Sequence, residues 1–306
     1  MTKDFLFLNY SFVPNSTFYF ESFVSKGHSI DIVTEKTLST FVPNCEYKNV
    51  VIYLHEPYTI PYTERLINEY CKNSVLIQHD DTDHEDIQMW TSRKPDLVMH
   101  REYTENTKNP RGCSIGAFHF PIDSWLDPLI KEKEYDVCFL GNMTNPRRVR
   151  FADKLIELMC GRLSHLKWKV NIEPHVNTSS ELYSINKFLS QGESSKSIVN
   201  KTKIGLNDFG NSYEQWRTWE YASTGIAILS PKMRTKCVNN STLMPFNEYL
   251  SFSDDYSDLG DKIEYLIEND RYKEYGSASK YAYDNRHTPK HCFDFYYSQV
   301  MKYAKL

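Results

Sequence analysis

The sequence predicts an α/β protein made of two consecutive doubly wound domains, each a parallel sheet with helices on both faces. Three observations carry that prediction. Short apolar runs alternate with amphipathic stretches in two successive series. The alternation lapses once, between Pro121 and Tyr135, where Asp123, Asp127, Pro128 and the charged run Lys131-Glu132-Lys133-Glu134 read as a linker. The length, 306 residues, exceeds what one core comfortably uses and suits two α/β domains. The expected division is residues 1–130, residues 131–290 and a closing helix over 291–306.

In the first series, Phe5-Leu6-Phe7-Leu8 is a buried strand, followed by a helical segment over residues 20–25. Gly27-His28 turns the chain into a second strand, Ser29-Ile30-Asp31-Ile32-Val33. Asn49-Val50-Val51-Ile52-Tyr53-Leu54 is a third, ending at His55-Glu56, and Pro61 opens a helix running to Tyr70. Ser74-Val75-Leu76-Ile77 is a fourth strand, ending in a polar cluster from Gln78 to Asp86. Pro95-Asp96-Leu97-Val98-Met99 is a fifth, ending at His100-Arg101.

The second series starts with the strand Asp136-Val137-Cys138-Phe139-Leu140, the loop Gly141-Asn142-Met143-Thr144-Asn145-Pro146 and a helix over 147–159. Trp168-Lys169-Val170-Asn171-Ile172 is the next strand, with helical segments over 182–189 and 195–200. Ile204-Gly205-Leu206-Asn207 is a strand ending at a polar pair, and residues 214–223 are helical. Gly225-Ile226-Ala227-Ile228-Leu229 is a strand, and the chain from Leu259 onward is mostly helical. Two such domains in tandem predict a cleft between them, with ligands beyond the carboxyl ends of the strands.

Composition narrows the function classes. The 7 cysteines are odd in number and lack a Cys-x-x-Cys pair, which reads as reduced thiols in a cytoplasmic protein. The sequence shows neither a signal-peptide layout nor an apolar run long enough to span a membrane. The sequons at Asn15 and Asn240 are then chance products of an Asn-rich chain. A net charge of −4 without a long basic run disfavours duplex nucleic acid as a partner. The 22 Tyr and 17 Phe suit stacking on sugars or bases, although biased codon usage is the simpler account of them.

Two segments resemble a known family. Phe23-Val24-Ser25-Lys26-Gly27-His28-Ser29-Ile30-Asp31-Ile32-Val33-Thr34 resembles the helix, Gly-His, strand element near the N-terminus of GT-B glycosyltransferases. Ile204-Gly205-Leu206-Asn207, with Arg217-Thr218-Trp219-Glu220-Tyr221-Ala222-Ser223-Thr224-Gly225-Ile226-Ala227-Ile228-Leu229, is similar to the donor-binding region of group 1 glycosyltransferases, especially the spore-maturation-type branch. Tyr135-Asp136-Val137-Cys138-Phe139-Leu140-Gly141-Asn142, with Arg147 and Arg148 downstream, resembles the first strand and loop of that branch's C-terminal domain. The resemblance covers the C-terminal half well and the N-terminal half mainly through layout. It implies two Rossmann-like domains facing a cleft, a nucleotide-sugar donor in the C-terminal domain and an acceptor in the N-terminal one. It also implies that the last helix, 291–306, crosses back to the N-terminal domain.

Several side chains then acquire candidate roles. The resemblance makes Glu220 the ligand of the donor ribose, where one carboxylate accepts hydrogen bonds from two vicinal hydroxyls; without it, Glu220 is a helix carboxylate. Arg217, three residues earlier, is either its i,i+3 ion-pair partner or a cation at the donor diphosphate. Thr224 and Gly225 form the helix–strand turn, where glycine is a natural C-cap and the family's turn approaches the donor. Gly141 and Asn142 precede a helix N-terminus suited to phosphate, Arg147 and Arg148 would add charge, and Asn207 ends a strand in the same domain. On the acceptor side, Asp80 and Asp81 lie in the polar cluster and His55 ends a strand; each is a candidate general base, with His100 in reserve. Asp81 and Asp83 also form an Asp-x-Asp pair that suits a hard cation, although a solvated acidic loop explains the cluster as well. The expected assignment carries no metal and no cofactor, the nucleotide-sugar being substrate, with a divalent-ion requirement left open. Many retaining members carry a second glutamate eight residues before the ribose ligand. That position is Ser212 here, with Glu214 off register, which leaves the stereochemical outcome open.

The leading expectation is therefore transfer of a sugar from a nucleotide-sugar to a glycan or other hydroxyl acceptor. A modified nucleic-acid base is a disfavoured acceptor. The alternatives are a nucleotide-sugar epimerase on the same fold and a non-catalytic carbohydrate- or nucleotide-binding assembly protein.

Overall fold

The computed structural model describes residues 2–9, 16–53, 60–80, 86–101, 103–109, 111–119, 121–142, 145–173, 193–210, 215–235, 243 and 247–306. The chain divides into two compact units: Met1–Pro121 with Pro289–Leu306, and Ile122–Thr288.

The first unit is built on β1 (Thr2–Asn9), β2 (Ile30–Thr34), β3 (Glu46–Tyr53), β4 (Val75–Asp80), β5 (Leu97–His100) and β6 (Ser114–Ala117). Among the described residues these strands form one sheet in the order β2-β1-β3-β4-β5-β6, every pair parallel. A parallel sheet covered on both faces needs continuous apolar strands, and Phe5, Leu6, Phe7 and Leu8 in β1 are all buried, as are Val50, Val51 and Ile52 in β3. The covering helices are α1 (Ser16–Ser25), the short α2 (Glu35–Leu38), α3 (Ile60–Glu69) and, from the end of the chain, a helix over Pro289–Met301. Tyr19 of α1 meets Tyr296 of that last helix at 4.5 Å between ring centroids, and His28 Nε2 lies 2.9 Å from the Tyr297 hydroxyl. Beyond the helix, the buried Asn49 side chain holds the main chain of Lys305 at both N–H (2.8 Å) and C=O (2.9 Å). Strand β6 was not expected from sequence. Ser114-Ile115-Gly116-Ala117 carries little strand propensity, and Gly116 packs closely on the Met99 side chain, whose Sδ would lie 2.6 Å from a Cβ there.

The second unit contains β7 (Tyr135–Asn142), α4 (Pro146–Cys160), β8 (Trp168–Glu173), α5 (Ser195–Asn200), β9 (Thr202–Leu206), α6 (Trp216–Thr224), β10 (Ala227–Pro231), β11 (Leu250–Phe252), α7 (Leu259–Ile267) and α8 (Arg271–Ala282). The Pro289–Met301 helix of the first unit is thus α9. The order among the described residues is β11-β10-β9-β7-β8, again all parallel. Val137, Phe139, Phe151, Leu155, Ile204, Leu229 and Ile263 belong to its core. The helix expected over 182–189 lies outside the described residues. Strand β11 is three residues long, below what an apolar pattern can signal. Helix α6 ends on Gly225 at φ 73°, a left-handed cap that glycine adopts without strain. Its carbonyl abuts α8 so closely that a Cβ on Gly276 would lie 2.2 Å from Gly225 O.

At the amino edge of this sheet, Glu193 accepts hydrogen bonds from Tyr135 Oη (2.9 Å) and Ser197 Oγ (2.7 Å) and pairs with Lys201 at 3.0 Å. Burial opposes its ionisation, but Ser197, Lys201 and Tyr135 outweigh burial and hold its pKa down to about 2. A depressed carboxylate contributes stability above its unfolded pKa and loses it as pH falls through the folded one. Wild type is therefore expected to melt higher than Glu193→Gln at pH 7, with the gap closing between about pH 4.5 and pH 2. A difference between the two melting curves that is constant across that range would refute the assignment. No helix among the described residues is long and apolar enough to cross a membrane.

Candidate functional site

Strand order decides where each unit can bind a ligand. In the second unit the chain passes from β7 outward to β8 and then returns to place β9 on the other side of β7. The switch point is therefore between β7 and β9, and the crevice lies beyond their carboxyl ends. The first unit's switch point is between β1 and β3, and the segments that follow those strands, 10–15 and 54–59, lie outside the described residues.

The β7/β9 edge is built around α4. Asn145 caps that helix: its side chain accepts from Arg148 N (3.0 Å) and donates to Gly210 O (2.7 Å), joining the post-β7 and post-β9 loops. Pro146 occupies the first turn, where no intrahelical partner is lost. Arg147 Nε then donates to Asp208 Oδ1 at 2.8 Å, and its Nη2 to Asp254 Oδ1 at 3.1 Å. Asp208 is fully buried and also accepts from the Tyr256 hydroxyl at 3.0 Å. Burial pushes the Asp208 carboxyl above its usual range, and Arg147 and Tyr256 pull it back. Tyr256 adopts φ 62°, a conformation that costs a bulky residue on the order of 1–3 kcal/mol. In that strained pose its hydroxyl reaches both Asp208 and Arg147 O.

Arg234, after β10, donates to Asp254 Oδ2 at 2.9 Å. The Arg147 and Arg234 guanidinium carbons lie 5.0 and 5.5 Å from the Phe209 ring centroid, so one aromatic ring supports both cations. Arg148 points into the unit instead: it is buried and donates to Phe209 O (3.3 Å) and to Gln215 Oε1 (3.0 Å). Its sequence-based role as a second phosphate cation is corrected on that ground; it is a strut for the post-β9 loop.

Helix α6 starts at this edge and runs back toward the amino end of β10. Arg217 Nη1 and Glu220 Oε2 are 2.7 Å apart, one turn into the helix, and the Arg217 guanidinium lies 5.1 Å from the Trp125 ring centroid. Burial raises the Glu220 pKa, and Arg217 opposes the shift. Trp219, between them in sequence, stacks on His287 at 3.4 Å and 7° with both rings buried, which fixes the helix about its axis. Ser223 Oγ donates to Glu220 O and accepts from Trp125 N, tying the same helix to the linker.

The sequence-derived candidates are thus distributed unevenly. Gly141 and Asn142 end β7, Arg147 opens α4, Asn207 follows β9 and Arg217 sits in the first turn of α6, all at the carboxyl edge. Gly141 lies against the Phe139 ring, where a Cβ would be 2.9 Å from Cζ. Asn207 is buried, its amide donating to Thr218 Oγ1 at 2.8 Å, so that donor is committed internally. Thr224 and Gly225 close the far end of α6, where Thr224 Oγ1 bonds Tyr221 O and Gly225 abuts α8. In the first unit, His55 and Asp81 lie outside the described residues. Asp80 corrects an expectation: its carboxylate has no exposed surface, accepts from Gln88 N at 3.0 Å and lies 3.3 Å from an equally enclosed His100 Nδ1. An acceptor hydroxyl cannot reach either group in this structure. Asp208, Phe209, Arg234, Asp254 and Tyr256 were missed. Asp208 stood in the polar pair after β9, but Asp254 and Tyr256 follow a strand that the sequence does not announce.

No protein-family model matches the chain, and no curated protein matches its sequence. Solved structures do resemble it in fold. Anabaena HepE in complex with UDP aligns with TM-score 0.62 and 9% identity over 98% of this chain and 100% of that one. A glycosyltransferase from Rickettsia africae aligns with TM-score 0.61 and 10% identity over 99% and 98%. The pneumococcal O-GlcNAc transferase GtfA, in complex with UDP and GlcNAc, aligns with TM-score 0.59 and 13% identity over 84% of this chain and 57% of that one. The chain therefore spans little more than half the length of the GtfA structure and all of HepE. At these identities the likeness is one of fold.

Proposed function

We propose that this chain is a GT-B glycosyltransferase that takes its sugar from a nucleotide-diphosphate sugar held by the Ile122–Thr288 unit. The observation that carries the reading is that α4, which follows β7 and carries Arg147, and α6, which follows β9 and carries the Arg217–Glu220 pair, both start at the carboxyl edge of the β7/β9 switch point. A nucleotide-sugar presents a ribose diol and a diphosphate a short distance apart. Glu220 suits the diol, because a carboxylate accepts two hydroxyl hydrogen bonds with charge assistance. Arg147, aimed by Asp208, and Arg217 suit the diphosphate. Negative charge grows on that group as the glycosidic bond breaks, and a pre-aimed cation stabilises it without reorganisation. The α4 N-terminus adds its dipole at the same edge. The structural neighbours support the reading, since two of the three were solved with UDP. On the acceptor side we assign the general base to His55 or Asp81, Asp80 being enclosed.

The test is a thermal-shift series with UDP, GDP, ADP, CMP and their sugars at millimolar concentration. Ligand at about 100 times Kd adds about 2.7 kcal/mol, which raises the midpoint of a domain this size by roughly 5–10 °C. One nucleotide family is expected to produce that shift, and Arg147→Ala to remove most of it. A flat response to every nucleotide, with or without divalent metal, would leave a non-catalytic binding protein as the better reading.

A further inference from the structure

We propose that Asp254 is an internal occupant of the donor's phosphate position, a carboxylate that a diphosphate displaces, and that Arg234 is the second phosphate ligand beside Arg147. The inference rests on the donor-site reading and adds how that site is regulated. Arginines from two different loops converge on the two oxygens of one carboxylate: Arg147 Nη2 on Oδ1 at 3.1 Å and Arg234 Nη2 on Oδ2 at 2.9 Å. Two guanidinium groups, each reaching the carboxylate through one nitrogen, form an arrangement that also fits phosphate. The occupant is poorly held, since the Asp254 side chain is 57% exposed and Arg234 is 48% exposed. Exposed pairs of this kind contribute little.

The two cations do not depend on it. Arg147 keeps its bond to the buried Asp208 through Nε, a different nitrogen from the one facing Asp254. Both guanidinium groups also stay supported on the Phe209 ring. With Asp254 in place, its carboxylate offsets guanidinium charge from Arg147 and Arg234. With Asp254 turned out to solvent, that offset is lost beside the switch point. The exposed carboxylate thus lowers affinity for anions in the empty state and yields to a ligand that brings more charge and more acceptor oxygens.

Calorimetric titration of full-length protein at fixed ionic strength tests this, with UDP and inorganic pyrophosphate as probes. Asp254→Ala is expected to bind both about three- to tenfold more tightly than wild type, because a competing pair is removed. Asp254→Asn, which keeps the shape without the charge, is expected to fall between them, and Arg234→Ala to weaken both probes about tenfold. A gain in affinity is not an effect that misfolding produces. Wild-type binding that is unchanged or weakened in both Asp254 variants would overturn the proposal alone. Wild-type protein that binds neither probe would overturn the donor-site reading together with it.

Discussion

Glu220→Gln is expected to lower kcat/KM for the nucleotide-sugar about 10- to 100-fold while leaving the melting temperature unchanged or slightly raised. The activity loss follows from chemistry at the ribose. Hydrogen bonds to a charged acceptor contribute about 1.5–3 kcal/mol, and the amide keeps only one good acceptor for two hydroxyls. The stability result follows from burial. Enclosure raises the Glu220 pKa, so the folded state disfavours the ionised form. A neutral isostere removes that cost. Arg217, its partner, keeps the Trp125 ring, and its buried Nη1 can face the glutamine carbonyl in place of the carboxylate. A carboxylate whose work was structural would behave in the opposite way, losing stability first and activity only in proportion. Steady-state kinetics beside a melting curve separate the two. Unchanged kcat/KM in a well-folded Glu220→Gln protein would remove this residue from the donor site.

The fold was largely readable because parallel strands covered on both faces must be continuous apolar runs. Phe5 to Leu8 and Val137 to Leu140 are short apolar runs of that kind, and each lies buried in its sheet. What was lost had a physical reason too. Strands β6 and β11 contribute four and three residues, and their place in the sheet comes from pairing with longer neighbours rather than from their own composition. The candidate site divides along the same line. Arg217 and Glu220 are three residues apart on one helix, so their pairing at 2.7 Å is implicit in the spacing. The contact between Arg147 and Asp208 joins residues sixty-one apart, and Asp254 reaches Arg147 across one hundred and seven. Such contacts depend on strand order, which local periodicity does not encode. Asp80 failed for a third reason. A strand-end carboxylate has the same sequence appearance whether it faces a crevice or, as here, lies enclosed against His100.

Asp208→Ala is expected to be the most damaging single change in the second unit, lowering its Tm by about 10 °C and removing measurable nucleotide binding. Asp208 is completely buried and holds Arg147 on one oxygen and the Tyr256 hydroxyl on the other. Deleting one member of a buried ion pair costs about 3–5 kcal/mol, because the remaining charge loses both its partner and its solvent. Tyr256 suffers as well: its left-handed backbone conformation is strained, and the bond to Asp208 is part of what compensates. Function falls for a separate reason. Arg147 would keep the Phe209 ring and the exposed Asp254 but no buried charge to aim it, and such an arginine no longer offers a fixed cation to a developing phosphate charge. Asp208→Asn distinguishes the two effects. The amide fills the same volume and can still accept from Tyr256, so stability is expected to recover by about half while binding stays weak, since the charge that orients Arg147 is absent. An Asp208→Asn protein that binds UDP as tightly as wild type would show that Asp208 serves the core of this unit rather than the aim of Arg147.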